Sequence, residues 1–344
     1  FPLRLLAREV YDKIIKKIDP SKVALITGEE KIIPINAKYF LCTVESMPLD
    51  KSLEFVGIDE IQMCNDHERG HIFTDRLLNM RGEKLTMLMG SNSIKKIIQK
   101  IQTILLSTAY YIIFFLLLAI FHFVQYFCYY LIGFRVHIWS VVCLNRLLML
   151  IQALLFTRHQ ITGEEKIPKD QPIIVVSNHQ NMMDIPPLIW YFRHQHAKFI
   201  SKKELGRGIP SISFNLRKGG SLLIDRNSGN TAIIQITRFG YQNYKKNCAI
   251  IIFPEGTRSN SSSLRPFKMG GLKALINAMP DVPIVPFVVH NNYQIFEEGT
   301  FPLKLRNHLN YSVLDPFNPK DLDVDTLKVK LEDLFLNELN KFTK

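Results

Sequence analysis

The sequence predicts an α/β protein with hydrophobic membrane helices ahead of its largest domain. Residues 172–176 and 249–253 are short apolar runs rich in β-branched side chains, which is the composition of buried strands. Residues 101–134 contain no Asp, Glu, Lys or Arg. These observations divide the chain into a small α/β region at 1–92, membrane-embedded helices at 93–158 and an α/β domain at 159–344.

The first region is predicted to contain a strand and turn at residues 21–28 and a hairpin turn at residues 66–70, before residues 72–77. This order faintly resembles the later half of a haloacid dehalogenase-type phosphatase, and the resemblance implies that Thr27 and Lys84 contact phosphate. The aspartate nucleophile and the acidic magnesium loop of such enzymes are not visible in the sequence. We therefore expect this region to be inactive in phosphoryl transfer.

The apolar segment at residues 101–134 is long enough to cross a bilayer, because a spanning helix needs about 20 predominantly apolar residues. A second stretch, residues 138–156, carries Asn145, Arg146 and Gln152 among many apolar residues. It is predicted to be an amphipathic or interfacial helix, or the return arm of a hairpin.

Basic residues flank the apolar segments on both sides, which favours a hairpin that enters and leaves from the cytoplasmic face. They are Lys95, Lys96, Lys100, Arg135, Arg146 and Arg158. A single crossing would instead place residues 1–92 on the opposite face. Either arrangement predicts an inner or cytoplasmic-face membrane protein, and the hairpin puts the C-terminal domain in the cytoplasm.

His179 and Asp184 lie in the stretch VSNHQNMMD, directly after the first predicted strand. Pro186 and Pro187 suit the first turn of a helix, so Asp184 is expected near a helix start. A neutral imidazole can take a proton from an attacking hydroxyl, and a carboxylate on the other ring nitrogen fixes its tautomer. A surface histidine near a helix-capping aspartate is the alternative for this pair alone.

A second motif, FPEGTRS at residues 253–259, follows the second predicted strand. Arg258 can form paired hydrogen bonds with a phosphate, and Gly256 allows the backbone to come close. Thr257 and Ser259 add hydroxyl donors. Taken alone, this motif is equally consistent with an ordinary polar loop between a strand and a helix.

Together these motifs resemble the glycerolipid acyltransferase family, closest to the 1-acylglycerol-3-phosphate acyltransferases. Four family motifs have counterparts in the expected order, and the likeness spans about residues 161–316. The four counterparts are residues 179–184, 220–226, 253–259 and 282–286. The resemblance implies a mixed sheet flanked by helices.

The resemblance also implies the roles of individual residues. His179 and Asp184 would form the catalytic dyad, and Pro286 would shape the acyl-donor side. The residues implied to hold the glycerol phosphate are Arg226, Glu255, Gly256 and Arg258, with Thr257 as a further hydroxyl donor. The expected acceptor is 1-acylglycerol-3-phosphate, the donor is acyl-CoA or acyl-carrier protein, and the product is phosphatidic acid for phospholipid biosynthesis. No cofactor or metal is expected.

One departure concerns the residues between His179 and Asp184. Bacterial members commonly have Ser after the His-Gln pair and a bulky residue before the Asp, where this chain has Asn181 and Met183. This leaves open an acyltransferase for glycerol 3-phosphate or another lysophospholipid. Other open alternatives are a phosphatase–acyltransferase fusion with a missing upstream part, a metal-dependent phosphoesterase and a non-catalytic membrane-binding protein.

Composition favours a membrane surface as the partner. The net charge is +12 and the pI is about 9.4, while 47% of the 344 residues are hydrophobic. Nucleic acid is not expected, because neither zinc-ligand spacing nor an aromatic–basic repeat accompanies the basic charge. Anionic lipid headgroups and the phosphates of an acyl donor fit better. The five scattered cysteines predict a reduced, cytoplasmic environment.

Overall fold

The computed structural model describes residues 1–91, 93–225, 228–320 and 322–342, in two compact units, Phe1–Gln102 and Thr103–Lys344. The helices are α1 (Arg4–Ile14), α2 (Gly70–Asn79), α3 (Ser93–Phe127), α4 (Phe134–Leu150), α5 (Ile185–Tyr191), α6 (Ile212–Lys218), α7 (Asn230–Asn243), α8 (Met269–Ala278) and α9 (Val324–Asn340). The strands are β1 (Val23–Ile26), β2 (Lys31–Ile32), β3 (Tyr39–Cys42), β4 (Phe55–Ile58), β5 (Leu85–Leu88), β6 (Arg158–Thr162), β7 (Ile173–Ser177), β8 (Lys198–Lys202), β9 (Leu222–Ile224), β10 (Ala249–Ile252), β11 (Ile284–His290) and β12 (His308–Val313).

The N-terminal unit contains two small sheets. In the first, β1 pairs with β2 in antiparallel and with β3 in parallel orientation, and all four residues of β1 are buried. In the second, β4 and β5 form a parallel pair. The strand predicted within residues 21–28 is therefore confirmed as β1.

The hairpin turn predicted at residues 66–70 is wrong, because these residues lead into helix α2. The Asp66 carboxylate accepts hydrogen bonds from the backbone N–H groups of Glu68 and Arg69, at 3.0 and 2.8 Å. Phe73 and Leu77, four positions apart, are both buried on one face of the helix. The helical spacing of the apolar residues therefore outweighs the turn-forming composition of the preceding segment.

Two apolar stretches, Ile98–Ile132 and Phe134–Leu155, are long and apolar enough to cross a membrane, a criterion that a core helix of a soluble protein also meets. The first overlaps most of α3 and the second contains α4, and Gly133 joins the two stretches with φ of +129°, a conformation open to glycine. In the most apolar window of the first stretch, only 22% of the residues are buried. Most residues of this window are thus partly or fully exposed.

The second unit is built on a seven-stranded sheet in the order β6-β12-β11-β7-β10-β8-β9. The five strands from β11 to β9 are parallel, and β12 pairs antiparallel to β11. The predicted mixed sheet is therefore confirmed. Because parallel strands share one direction, the segments that follow β7, β10 and β11 all begin at the same edge of the sheet.

Helices cover both faces of this sheet. Alternate residues of β7 point to opposite faces, so Ile173 and Val175 join one core while Ile174 and Val176 join the other. The first core includes side chains of α3, α4 and α5, and the second those of α7, α8 and α9. β7 and β10 are buried throughout, as expected for central strands of a sheet covered on both faces.

Candidate active site

His179 and Asp184 meet at the carboxyl edge of the sheet. β7 ends at Ser177, a 3-10 turn spans Met182–Asp184, and α5 begins at Ile185 with prolines in its first turn. The predicted strand, turn and proline-led helix are thus confirmed. His179 Nδ1 lies 2.8 Å from Asp184 Oδ2. Since an ionised carboxylate can only accept, Nδ1 carries the hydrogen and Nε2 keeps its lone pair.

The Asp184 carboxylate is fully buried and is held by three further hydrogen bonds. Oδ2 also accepts from the backbone N–H groups of Gln180 and Asn181, at 2.6 and 2.9 Å. Oδ1 accepts from the side-chain amide of Asn292 at 2.8 Å. Four donors therefore compensate the loss of water around this charge.

The two loops that carry the predicted motifs, 178–184 and 254–260, are joined by backbone hydrogen bonds. The N–H of Ser259 donates to the carbonyl of His179 at 2.8 Å, and the N–H of Asn260 donates to the carbonyl of Gln180 at 3.2 Å. This contact follows from the parallel pairing of β7 with β10, in which Val176 lies opposite Ile252.

Glu255 forms a third link between the two loops, and its side chain faces the protein backbone. One carboxylate oxygen accepts the N–H of His179 at 2.6 Å, and the other accepts the N–H of Arg265 at 3.0 Å. The residue is 2% exposed, and burial raises the pKa of its carboxyl. Both oxygens are thus occupied by internal donors, which differs from the phosphate contact implied by the resemblance.

The His179 ring lies against Phe253, the last residue before the second loop. The ring centroids are 4.2 Å apart and the planes are inclined by 20°, which is a stacked arrangement. The His179 side chain is only 13% exposed. Phe253 therefore shields one face of the imidazole from water.

The remaining predicted residues are distributed differently. Thr257 and Arg258 are exposed on the 254–260 loop, while Gly256 has φ of +71°. Pro286 is buried within β11, opposite Val176 of β7. Arg226 lies outside the described residues. The structure thus joins His179 to both Asp184 and Glu255 by hydrogen bonds, places Thr257 and Arg258 on the second loop, and buries Pro286 inside the sheet.

The two positions that depart from the bacterial pattern make specific contacts. The Asn181 side chain accepts the N–H of Met183 at 2.7 Å and donates to the carbonyl of Asn292. Met183 is 2% exposed, and its sulfur lies 3.7 Å from the hydroxyl of Tyr110. Both side chains therefore make internal contacts of the protein that hold the 178–184 loop in place.

Asn292 was missed by sequence reasoning. It lies two positions beyond β11 and 108 positions from Asp184, so no local spacing connects the two residues. The pairing of strands could have indicated this contact. Because β11 lies parallel to β7, the segment that leaves β11 must pass close to the loop after β7.

A basic cavity of about 360 Å³ lies beyond the carboxyl ends of β8 and β9. Its cationic lining residues are Lys203, Arg207 and Arg217. Among the residues that the structure describes, three or more His, Cys, Asp or Glu side chains do not come together in an arrangement that could hold a metal ion.

Comparison with known proteins agrees with the motifs. The family model described as Acyltransferase matches residues 158–290, which include both loops. Residues 158–290 are thus similar to an acyltransferase domain. The resemblance to the glycerolipid acyltransferases is thereby confirmed, and residues 158–290 contain His179, Asp184 and the second motif.

This part of the chain is similar to human 1-acyl-sn-glycerol-3-phosphate acyltransferase beta, with 30% identity over 139 residues. The match covers 40% of this chain and 48% of that relative, so the chain spans about half the length of the relative. The crystal structure of the 1-acyl-sn-glycerophosphate acyltransferase PlsC from Thermotoga maritima shares its fold. The TM-score is 0.59 at 22% identity, over 71% of this chain and 99% of the other.

The N-terminal part matches a different class of protein. Residues 1–110 match the family model described as the DEXQ-box helicase domain of Suv3. An Arabidopsis thaliana mitochondrial protein named DExH-box ATP-dependent RNA helicase DExH18 is 39% identical over 99 residues, which cover 29% of this chain and 12% of the helicase. This match differs from the phosphatase resemblance suggested by Thr27 and Lys84.

Proposed function

We propose that this protein transfers an acyl group from a thioester to the 2-hydroxyl of 1-acylglycerol-3-phosphate and so makes phosphatidic acid. The observation that carries the proposal is the bond between His179 Nδ1 and the fully buried Asp184, beside an acyltransferase-type second loop. The names of the acyltransferase relatives support the choice of acceptor.

His179 is the general base of the proposed reaction. Because Asp184 occupies Nδ1, Nε2 is the nitrogen that can take the proton of the 2-hydroxyl as the oxygen attacks the thioester carbonyl. The tetrahedral intermediate then collapses, the carbon–sulfur bond breaks, and the imidazolium returns its proton to the departing thiolate. Asp184 stabilises the imidazolium and holds the ring in place.

Two groups of cations support an anionic acceptor and a phosphate-bearing donor. Arg258 is exposed on the second loop, where its guanidinium can pair with phosphate oxygens. Lys203, Arg207 and Arg217 line the basic cavity at the ends of β8 and β9. We assign phosphate binding to Arg258 and Arg226, as the resemblance implies, and a bracing role to Glu255. A buried carboxylate bonded to two backbone N–H groups would repel a phosphate.

The two apolar helices support attachment to a membrane. Large side chains of α3 that are more than half exposed include Ile112, Phe115, Leu116 and Phe123. A lysolipid acceptor resides in a bilayer, so a domain tethered there meets its substrate at high local concentration. We propose attachment with the acyltransferase domain on the cytoplasmic face. Protease protection of residues 1–92 in sealed vesicles distinguishes a hairpin from a single crossing.

A metal-dependent phosphoesterase, in which His179 and Asp184 would be ligands, is less favoured. An ionised carboxylate has about four lone-pair sites. Four hydrogen-bond donors already surround Asp184. These contacts support a role as the partner of a base.

The test is transfer of a labelled acyl group from acyl-CoA or acyl-carrier protein to 1-acylglycerol-3-phosphate, in vesicles. We expect product from the unmodified chain and about 10²- to 10⁴-fold less from His179→Ala, because general-base assistance is lost. His71→Ala, at an exposed position in α2, is the matched control. Equal product from His179→Ala would exclude His179 as the general base. Product only with glycerol 3-phosphate or another lysolipid would correct the acceptor.

A further inference from the structure

The two oxygens of Asp184 have different surroundings. Oδ2 accepts hydrogen bonds from His179 and from the backbone of its own loop. Oδ1 accepts from Asn292, whose side chain comes from the segment after β11. We propose that Asn292 is the positioning residue that fixes the Asp184 carboxylate, with Tyr311 holding Asn292 in turn. This inference rests on the proposed function, because it needs His179 to act as the base.

The orientation of the Asn292 amide follows from its partners. An ionised carboxylate can only accept, so the NH₂ group of Asn292 must face Asp184. The amide oxygen is then left to accept from the hydroxyl of Tyr311, at 3.3 Å. Burial raises the pKa of Tyr311 well above its ordinary value, which keeps this hydroxyl protonated and available as a donor. A carboxylate, an amide and a phenol thus form one directed chain.

Backbone contacts tie the same segment to the loop that carries the dyad. The carbonyl of Asn292 accepts the side-chain amide of Asn181. The N–H of Tyr293 donates to the side-chain oxygen of Gln180 at 3.2 Å. Both contacts are made by the peptide group between Asn292 and Tyr293, so the backbone directly after the Asn292 side chain is fixed to the 178–184 loop, as expected of a rigid support.

The side chains of this hydrogen-bonded series are buried, so each contact between them is hard to replace. Asp184 and Asn292 are both 0% exposed and Tyr311 is 1% exposed, so water cannot replace a lost partner without a rearrangement. Without Asn292, Asp184 Oδ1 would be a buried charged oxygen without its present donor, and the carboxylate could rotate away from His179. Removing a hydrogen bond to a charged group of this kind should lower the rate by about ten- to hundredfold.

The experiment compares four variants in the labelled-acyl assay, with kcat, KM, the pH profile of kcat/KM and the melting temperature measured for each. Asn292→Ala removes the donor. Asn292→Asp has the same shape but brings a second carboxylate against Asp184. Tyr311→Phe removes one hydroxyl and preserves the buried ring. Asn243→Ala is the matched control, because Asn243 is another buried asparagine with two side-chain hydrogen bonds, to Lys198 and Phe239.

We expect kcat to fall about ten- to hundredfold in Asn292→Ala and further in Asn292→Asp, with KM nearly unchanged. Tyr311→Phe should lose about two- to tenfold, since a neutral hydrogen bond is weaker. In Asn292→Asp the added negative charge favours the imidazolium, so the acid-side fall of kcat/KM should move to higher pH. Asn243→Ala should lower the melting temperature without moving the acid-side fall of kcat/KM.

The outcomes separate the two proposals. If His179→Ala is inactive while both Asn292 variants keep the kcat and acid limb of the unmodified chain, the role of Asn292 is overturned and the proposed function stands. If both Asn292 variants fail to fold, unchanged kcat in Tyr311→Phe overturns the proposal and a two- to tenfold loss supports it. Full activity of His179→Ala, or inactivity of the unmodified chain, overturns both proposals.

Discussion

The two units of this chain hold their polar groups in different ways. In the N-terminal unit, ion pairs such as Arg4–Glu29 and Lys84–Glu54 join exposed side chains. Exposed pairs of this kind contribute little to stability. In the second unit, the bond between Asp184 and Asn292 is buried and joins residues 108 positions apart. The comparison teaches that the carboxylate proposed to orient the base is held by a buried partner distant in sequence.

The largest effect that would sharpen this comparison is expected at Glu255. Glu255→Ala leaves the N–H groups of His179 and Arg265 without the carboxylate that links the two loops, so we expect kcat to fall about ten- to hundredfold and the melting temperature to drop. Glu255→Gln, which keeps one acceptor, should lie between Ala and the unmodified chain. The measurements are steady-state kinetics and thermal unfolding.

The matched change in the other unit is Glu83→Ala, where the carboxylate is exposed and accepts from Ser52. It should leave acyl transfer within about twofold, because exposed polar contacts contribute little. The bracing role of Glu255 would be contradicted by an increase in KM for the acceptor with unchanged kcat and stability, since that result indicates substrate contact.

The next effect concerns acid stability. His290 is 1% exposed, and burial lowers its pKa to about 4, while Glu338 raises it and Lys341 lowers it by smaller amounts. Because the unfolded histidine titrates near pH 6.5, the unfolded state binds more protons between about pH 4 and 6.5. The stabilisation is complete above this window and is lost as the pH falls. At pH 5 the loss should be about 1–2 kcal/mol.

The measurement is urea unfolding at pH 7 and pH 5, followed by tryptophan fluorescence. Trp139 and Trp190 are the two tryptophans of the chain, and both lie in the second unit. His290→Asn should reduce the loss between the two pH values by about 1–2 kcal/mol. An identical loss in both proteins would exclude His290 as the source.

The smallest effect is expected at a glycine. Gly256 has φ of +71°, and a Cβ there would lie 3.5 Å from Lys268, an ordinary contact distance. Gly256→Ala should therefore cost about 1 kcal/mol through backbone strain alone. Gly28→Ala in the N-terminal unit, where a Cβ would meet nothing within 4 Å, is the control and should be neutral. Urea unfolding followed by circular dichroism measures both, and equal stabilities would contradict the strain argument.

Sequence patterns predicted the local parts of the site correctly. β7, β10 and the proline-led α5 follow from β-branched runs and helix-start chemistry, which depend on neighbouring residues. The contact between Asn292 and Asp184 and the contact between Glu255 and the backbone of His179 could not be predicted, because both depend on the order of strands in the sheet. A glutamate beside an arginine in a loop resembles a substrate contact until its burial is known.

At helix α2, by contrast, a local prediction was wrong. The polar run before it contains Asp66 and Gly70, which suit a turn, and the prediction gave this composition more weight than the apolar spacing. Phe73 and Leu77 lie four positions apart, a helical period, and both are buried. The local spacing of the apolar residues therefore predicts this helix, and the turn-forming composition before it does not.

The contact between Glu255 and the backbone of His179 also affects the balance of charge. In the proposed reaction, the carboxylates of Asp184 and Glu255 lie near a neutral imidazole. Burial is the main cause that raises the pKa of Glu255, and repulsion by Asp184 adds a smaller increase. When the imidazole takes a proton, the net charge of the three groups changes from −2 to −1. In the proposed step, the proton thus moves toward an excess of negative charge, which favours the imidazolium.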